Sequence, residues 1–204
     1  SSAASDVYKR QLYDEGVGDE GLYSELTPPK SSGERWIGVA PFAKHKGKIY
    51  PLDCMEKVVS KLSEESRVKI FLFGSGDRER EILSLWRERY PGVISLADKR
   101  YGFAVELSLM SRLDVMISMD SANMHLASLV EVPVVSVWGA THPYCGFLGW
   151  RQSDSGVVEL PLDCRPCSVF GNKPCYRKDY ACLEIAPETI VDRVKSLETL
   201  IKEK

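Results

Sequence analysis

The chain has 204 residues, 44% hydrophobic and 27% charged, with a formal net charge of -2; that is enough apolar material for one packed domain and excludes disorder over the whole length. The near-neutral balance gives no general basic field, which sets nucleic acid aside as a partner. No apolar run reaches the roughly 18 residues a membrane helix needs, and the start lacks the basic-then-apolar pattern of a secretory signal, so the expectation is a cytoplasmic protein with at most peripheral membrane contact.

The opening SSAASDVYKRQ has no initiator Met and no periodic apolar pattern, and it resembles translated sequencing adapter. With the stretch from Leu12 to Arg35, which contains TPPKSSGE, it predicts a linker or truncated remnant over 1–34, its first 11 residues artefactual. The expectation is a chain that begins within a longer gene. From Trp36 the pattern changes, and 35–204 is expected to form the folded domain. Short apolar runs, WIGVA, VKIFLF, GVISL, LDVMISM and PVVSVW, alternate with segments that fit helices at Leu52 to Glu65, Asp77 to Tyr90, Ser121 to Val130 and Pro187 to about Lys202. Strands apolar on both faces that alternate with helices indicate an α/β fold, a Rossmann-like parallel sheet covered on both sides. Ligands of such sheets bind beyond the carboxyl ends of the strands, so chemistry is expected just after each run.

After the first run, APFAKHKGKIYP places Lys44, Lys46 and Lys48 close together with Gly47 giving slack. Ammonium groups on such a loop can neutralise a diphosphate without a metal, although most loop lysines are merely solvated. After the second, FLFGSGDRERE has Gly74-x-Gly76 opening a helix, and Asp98 ends the next strand about twenty residues on, most of a dinucleotide fingerprint. An NAD-binding oxidoreductase is therefore the rival reading. Against it, Glu79 stands at the third glycine position, where its carboxylate would repel a pyrophosphate and fill space needed for helix packing. Asp77 and Glu79 are read instead as acceptors for ribose hydroxyls or an adenine amino group, or as simple stabilisers of a helix N-terminus.

DSANMHLAS follows the fourth run. Asp120 or Ser121 can cap the next helix and leave backbone N–H groups facing an anion, and His125 falls on the same side as Ser121. A plain N-cap with a core histidine is the competing interpretation. WGATHP ends the fifth run, where Gly139 and Ala140 remove bulk so that a ligand can approach backbone; an ordinary turn set by Pro143 would look the same.

Cys164, Cys167, Cys175 and Cys182 then form C-x2-C-x7-C-x6-C. Four thiolates at this spacing suit a closed, structural zinc or iron site, against reduced cysteines in a tight loop. A non-enzymatic, metal-stabilised interaction module centred on these cysteines is a third reading. Cys54 and Cys145 look solitary, no nucleophile–base pair for hydrolysis stands out, and no catalytic base is evident.

Together, APFAKHKGKIYP, LFGSGDRE, MDSANMHLAS with VPVVSVWGATHP, and the cysteine cluster resemble the carboxyl-terminal domain of family 9 glycosyltransferases, the ADP-heptose:lipopolysaccharide heptosyltransferases, from about Trp36 to the end. The resemblance implies the GT-B architecture of two Rossmann-like domains around a cleft, inversion at the anomeric centre and no metal cofactor for catalysis. It implies an ADP-heptose donor held by this domain, a lipopolysaccharide or related glycolipid acceptor, and action at the inner face of the bacterial inner membrane. Carried over by motif, Asp120 would accept from sugar hydroxyls, the backbone at Ser121 and Ala122 would face the diphosphate, and His125 would complete that wall. Lys48, in KIYP, would offset charge on the departing ADP; Asp77 or Glu79 would contact the nucleoside, and Leu96 and Ala97 would line the adenine. Lys44 and Gly139 join this expected donor set.

The sequence departs from the family pattern at Phe42 and Ala43, which replace hydroxyl residues of the first phosphate loop, and at Ser121-Ala122, which stand for Thr-Gly. The family's amino-terminal domain, which binds the acceptor and supplies the aspartate base, is expected to lie outside this chain, so that the chain alone is inactive. A four-cysteine metal site in related heptosyltransferases that modify proteins extends the resemblance to the cluster.

Overall fold

The computed structural model describes residues 29–202. Most of the expected linker, 1–28, lies outside the described residues, and 29–34 run as coil and a turn into the first strand. The five apolar runs form β1 (Arg35–Ala40), β2 (Val68–Leu72), β3 (Val93–Ser95), β4 (Val115–Met119) and β5 (Val134–Trp138). All pair in parallel, and a further strand, β6 (Val157–Glu159), extends the sheet to the order β3-β2-β1-β4-β5-β6.

Helices α1 (Leu52–Ser63), α2 (Asp77–Arg89), α3 (Phe103–Met110), α4 (Ala122–Leu129) and α5 (Pro187–Lys202) cover the sheet. On one face Met55, Leu62, Leu83, Trp86, Ile190 and Val194 pack on Ile37, Val39, Ile70, Val115, Ile117 and Val135. On the other, Val105, Met110, Met124 and Ala127 pack on Trp36, Phe71, Met116 and Trp138. Successive strand residues point to opposite faces and both are buried, which is why the runs read as continuously apolar. Fully burying one such side chain contributes about 1.5–3 kcal/mol.

Two elements escape the periodicity. α3 has apolar residues almost all round, Val105 and Leu107 to Met110 being buried, so it has no polar stripe to mark it as a helix. β6 is a three-residue edge strand, too short to show alternation.

The sheet's topology locates the crevice. The chain leaves β1 toward β2 and β3 on one side and returns to β4 on the other, so β1 and β4 are neighbours, with Ala40 beside Ser118. The loops that follow these two strands diverge from adjacent strand ends and open a gap between them. Among the described residues no helix is long and apolar enough to cross a membrane.

Candidate functional site

The loops after β1, β2 and β4 line one cleft of about 520 Å³. Lys44, Lys48, Glu79, Asp120, Ser121 and Ala122 all reach it. His45, Phe73, Glu106, Asn123 and Phe170 also line it, none of them singled out by the sequence. Residues of the basic loop, three carboxylates and the first turn of α4 thus face one space.

Lys48 ends a short 3-10 turn, Lys46–Lys48, that folds the β1 loop back over the cleft. Its Nζ lies 2.7 Å from Oδ2 of Asp120, a carboxylate only 4% exposed. Thr141 Oγ1 donates to the same oxygen at 2.7 Å. The charge-assisted bond and the hydroxyl together compensate a carboxylate taken out of water. Ser121 and Ala122 follow immediately, Ser121 extended at the N-cap of α4 without a side-chain cap; Met124 N already donates to Ser121 O at 3.2 Å, and the N–H groups ahead of it, which have no preceding turn to donate to, border the same opening.

Glu79 and Asp77, equivalent candidates by sequence, are separated by the fold. Glu79 reaches the cleft and accepts from the backbone N–H of Ser75 at 2.8 Å. Asp77 is exposed, pairs with Arg80 within its own helix, and does not line the cleft. Glu79 therefore sets its own anion on the glycine loop where an NAD pyrophosphate would have to sit. Asp98, the other half of that rival fingerprint, is held by Ser84 and Arg87.

Glu106, in the first turn of α3, lines the cleft, and burial pushes its carboxyl above the ordinary range.

Other sequence candidates lie elsewhere. His125 is exposed on α4, a turn past the cleft, and does not close its wall. Leu96 is packed in the core with Phe71 and Tyr101, and Ala97 packs against the opposite core; neither lines the cleft. Gly139 is buried, and a Cβ there would overlap Gly47 O and Leu183: what approaches this glycine is the β1 loop. Ala140 N donates to Gly47 O at 2.8 Å, tying the two loops together. Lys46 turns away and stands 5.1 Å over the Tyr180 ring.

The cysteine loop folds beside this site. Phe170 forms part of the wall, and a Cβ on Gly171 would lie 2.8 Å from Lys48 Cε and 3.0 Å from Thr141 Cγ2. Arg165, which sequence reading treated as a spacer between two cysteines, has a side chain only 2% exposed, aimed at the loop that carries Thr141. Its burial had no sequence signal.

The four thiols share a neighbourhood. Burial first, then the other three cysteines, push Cys182 up to about 11 against an opposing pull from Arg165. Burial and the neighbouring Cys175 and Cys164 likewise raise Cys167. Yet among the described residues no three His, Cys, Asp or Glu side chains are arranged to hold an ion. Cys167 Sγ faces Cys164 O at 3.6 Å and Cys175 Sγ faces Asp179 Oδ1 at 4.0 Å. As arranged, the cluster is four neighbouring thiols and not a ligand shell.

Comparison with known proteins places this geometry in context. The profile of glycosyltransferase family 9 (heptosyltransferase) matches residues 3–175. Lipooligosaccharide heptosyltransferase 2 of Campylobacter jejuni is 25% identical over 172 residues, 82% of this chain and 53% of that protein. Among solved structures, Escherichia coli ADP-heptose lipopolysaccharide heptosyltransferase II superposes with a TM-score of 0.67 at 19% identity, over 90% of this chain and 53% of that one. The dodecameric, iron-containing heptosyltransferase TibC of enterotoxigenic Escherichia coli, solved with ADP-D-β-D-heptose, gives 0.61 at 15% identity, over 86% and 48%. These likenesses at low identity establish the fold, and the chain spans about half the length of the curated relatives it matches.

Proposed function

This chain belongs to glycosyltransferase family 9, the heptosyltransferases, and from that premise we propose that its cleft is the donor site of a GT-B enzyme that transfers a heptose from ADP-heptose. The observation that carries the reading is the Lys48–Asp120 pair set against the open first turn of α4. A cation and free N–H groups suit a diphosphate, and a carboxylate beside them suits the hydroxyls of the attached sugar. In this reading Glu79, which lines the same cleft, accepts from a ribose hydroxyl. A solved neighbour supports the donor, TibC being in complex with ADP-D-β-D-heptose.

The acceptor in this reading is a lipopolysaccharide or related glycolipid at the inner face of the bacterial inner membrane, bound by a second domain. Its hydroxyl oxygen bonds to the anomeric carbon from the side opposite the diphosphate, which inverts that centre. The carbon–oxygen bond to the β-phosphate breaks, the electron pair leaves on ADP, and the acceptor proton goes to a carboxylate of the second domain. Lys48 lowers the barrier by opposing charge that grows on the departing phosphate.

Calorimetric titration with ADP, UDP and NADH tests this. Selective ADP binding that weakens in Lys48→Ala supports it; NADH binding indifferent to that change rejects it in favour of the glycine loop at Gly74.

The same reading gives the four cysteines a structural zinc or iron. Their mutual proximity supports it, as does the iron-containing heptosyltransferase TibC among the solved neighbours. The thiols must close in from the described arrangement to hold an ion. Close to one metal per chain by elemental analysis, lost in Cys164→Ser, is the expected result; none in the purified wild type rejects it.

A further inference from the structure

We propose that Arg165 is a positioning residue for the diphosphate end of the donor site, acting through Thr141 on the Lys48–Asp120 pair; this rests on the donor-site reading above. Arg165 Nε donates to Gly139 O at 2.5 Å, and its two terminal nitrogens donate to Leu160 O at 2.7 Å, Thr141 O at 2.8 Å and Trp138 O at 3.4 Å. Glu159 Oε2, at 2.8 Å, balances the charge. Cys167 N adds a bond to Ala140 O at 2.8 Å. Every backbone carbonyl from Trp138 to Thr141 is thereby held by the segment 165–167.

That grip has a direct consequence in the cleft. The residue whose carbonyl Arg165 holds is the one whose hydroxyl reaches Asp120. The oxygen it reaches is the oxygen Lys48 pairs with. A loop displaced by about 1 Å would lengthen the Thr141–Asp120 bond past hydrogen-bonding range and release the carboxylate from its aim. The planar guanidinium offers five N–H donors in a fixed fork, which is what acceptors spread over two strand ends require; a lysine offers three donors from one point. The far end of the loop lies close to the same pair, where a Cβ on Gly171 would crowd both Lys48 and Thr141.

The test uses the full chain with Arg165→Lys and Thr141→Val, singly and together, and compares Kd for ADP and AMP by calorimetry at fixed salt. Adenosine contacts are common to the two nucleotides, whereas the β-phosphate is present only in ADP. Each single variant is expected to weaken ADP by about tenfold while AMP changes less than about twofold, and the double variant to match the weaker single. Equal losses for both nucleotides, an unchanged ratio, or effects that multiply would overturn the proposal. If Arg165→Lys does not fold, Glu159→Gln, which loosens the guanidinium by removing its counter-charge, should shift the same ratio several-fold; no shift overturns it. Wild-type protein that binds neither nucleotide sinks the donor-site reading and this inference together, whereas ADP binding that depends on Lys48 but not on Arg165 sinks this inference alone.

Discussion

Lys48 and Asp120 are 72 residues apart in sequence and 2.7 Å apart at their charged ends, in a pair with only 13% and 4% of the two side chains exposed. A lysine held this way is pre-aimed at the cleft, and a ligand phosphate gains from it without ordering a mobile side chain. Lys48→Ala is expected to weaken ADP by about 10- to 100-fold, about 1.4–2.7 kcal/mol, measured by calorimetry.

Removing the other partner should be felt as stability. Asp120→Ala leaves a largely buried ammonium unpaired and Thr141 Oγ1 without its acceptor. A loss of about 3 kcal/mol in urea unfolding is expected. Asp120→Asn, which still accepts from Thr141, should lose less.

Gly139→Ala tests the contact between the two cleft loops. The new Cβ meets backbone oxygen at Gly47 and the side chain of Leu183, and only the latter can move. Overpacking of this kind costs about 1–3 kcal/mol, which thermal denaturation would register as a fall of several degrees, about 2–4 °C per kcal/mol.

The parallel sheet and the cleft's main charges were legible from the sequence because they rest on local pattern. Strands buried on both faces announce themselves by composition, and a cleft beyond the strand ends follows from topology. Lys48, Asp120, Ser121 and Ala122 were found at those ends and share one cleft. What could not be read was direction. Asp77 and Glu79 lie half a helical turn apart, enough to send one to solvent and the other inward. His125 matched by spacing but lies outside the cleft. Glycine at position 139 signalled a close approach without saying whose, and the structure shows a neighbouring loop. Arg165 was invisible because a buried arginine is defined by carbonyls supplied from two strand ends, and no motif records those.

Glu106 should make stability and binding depend on pH. Burial raises its folded-state pKa above the unfolded value, so the folded protein binds the proton more tightly. Stability from this group is present at acid pH and lost as pH rises through the raised pKa. Glu106→Gln is expected to raise Tm at pH 7, with the gain disappearing below the ordinary Glu range. Above that raised pKa the same change also removes a negative charge from the cleft, so ADP should bind the variant more tightly there and equally well at acid pH, as calorimetry would register.

Cys182, with a thiol raised to about 11, is expected to resist iodoacetamide at pH 7 in chelator-treated folded protein and to react once urea exposes it. Mass spectrometry of the alkylated peptides checks this. If the cluster takes up zinc as proposed, ligation must displace such protons, so apparent metal affinity should strengthen with rising pH, with protons released on binding.

The central place of β1 also bears on how the chain is made. β1 needs a neighbour on each side, and its second one, β4, begins only at Val115. While a ribosome is still adding the intervening residues, β1, β2 and β3 can already pair, and the hydrogen-bonding edge at Ile37 to Ala40 stands open. Contacts so far apart in sequence form late because a long loop must close first. An apolar edge exposed for that interval is a template for another nascent chain. Expression at low temperature or with a chaperone that shields strand edges should therefore raise the yield of folded protein more than any change at the surface of the finished domain.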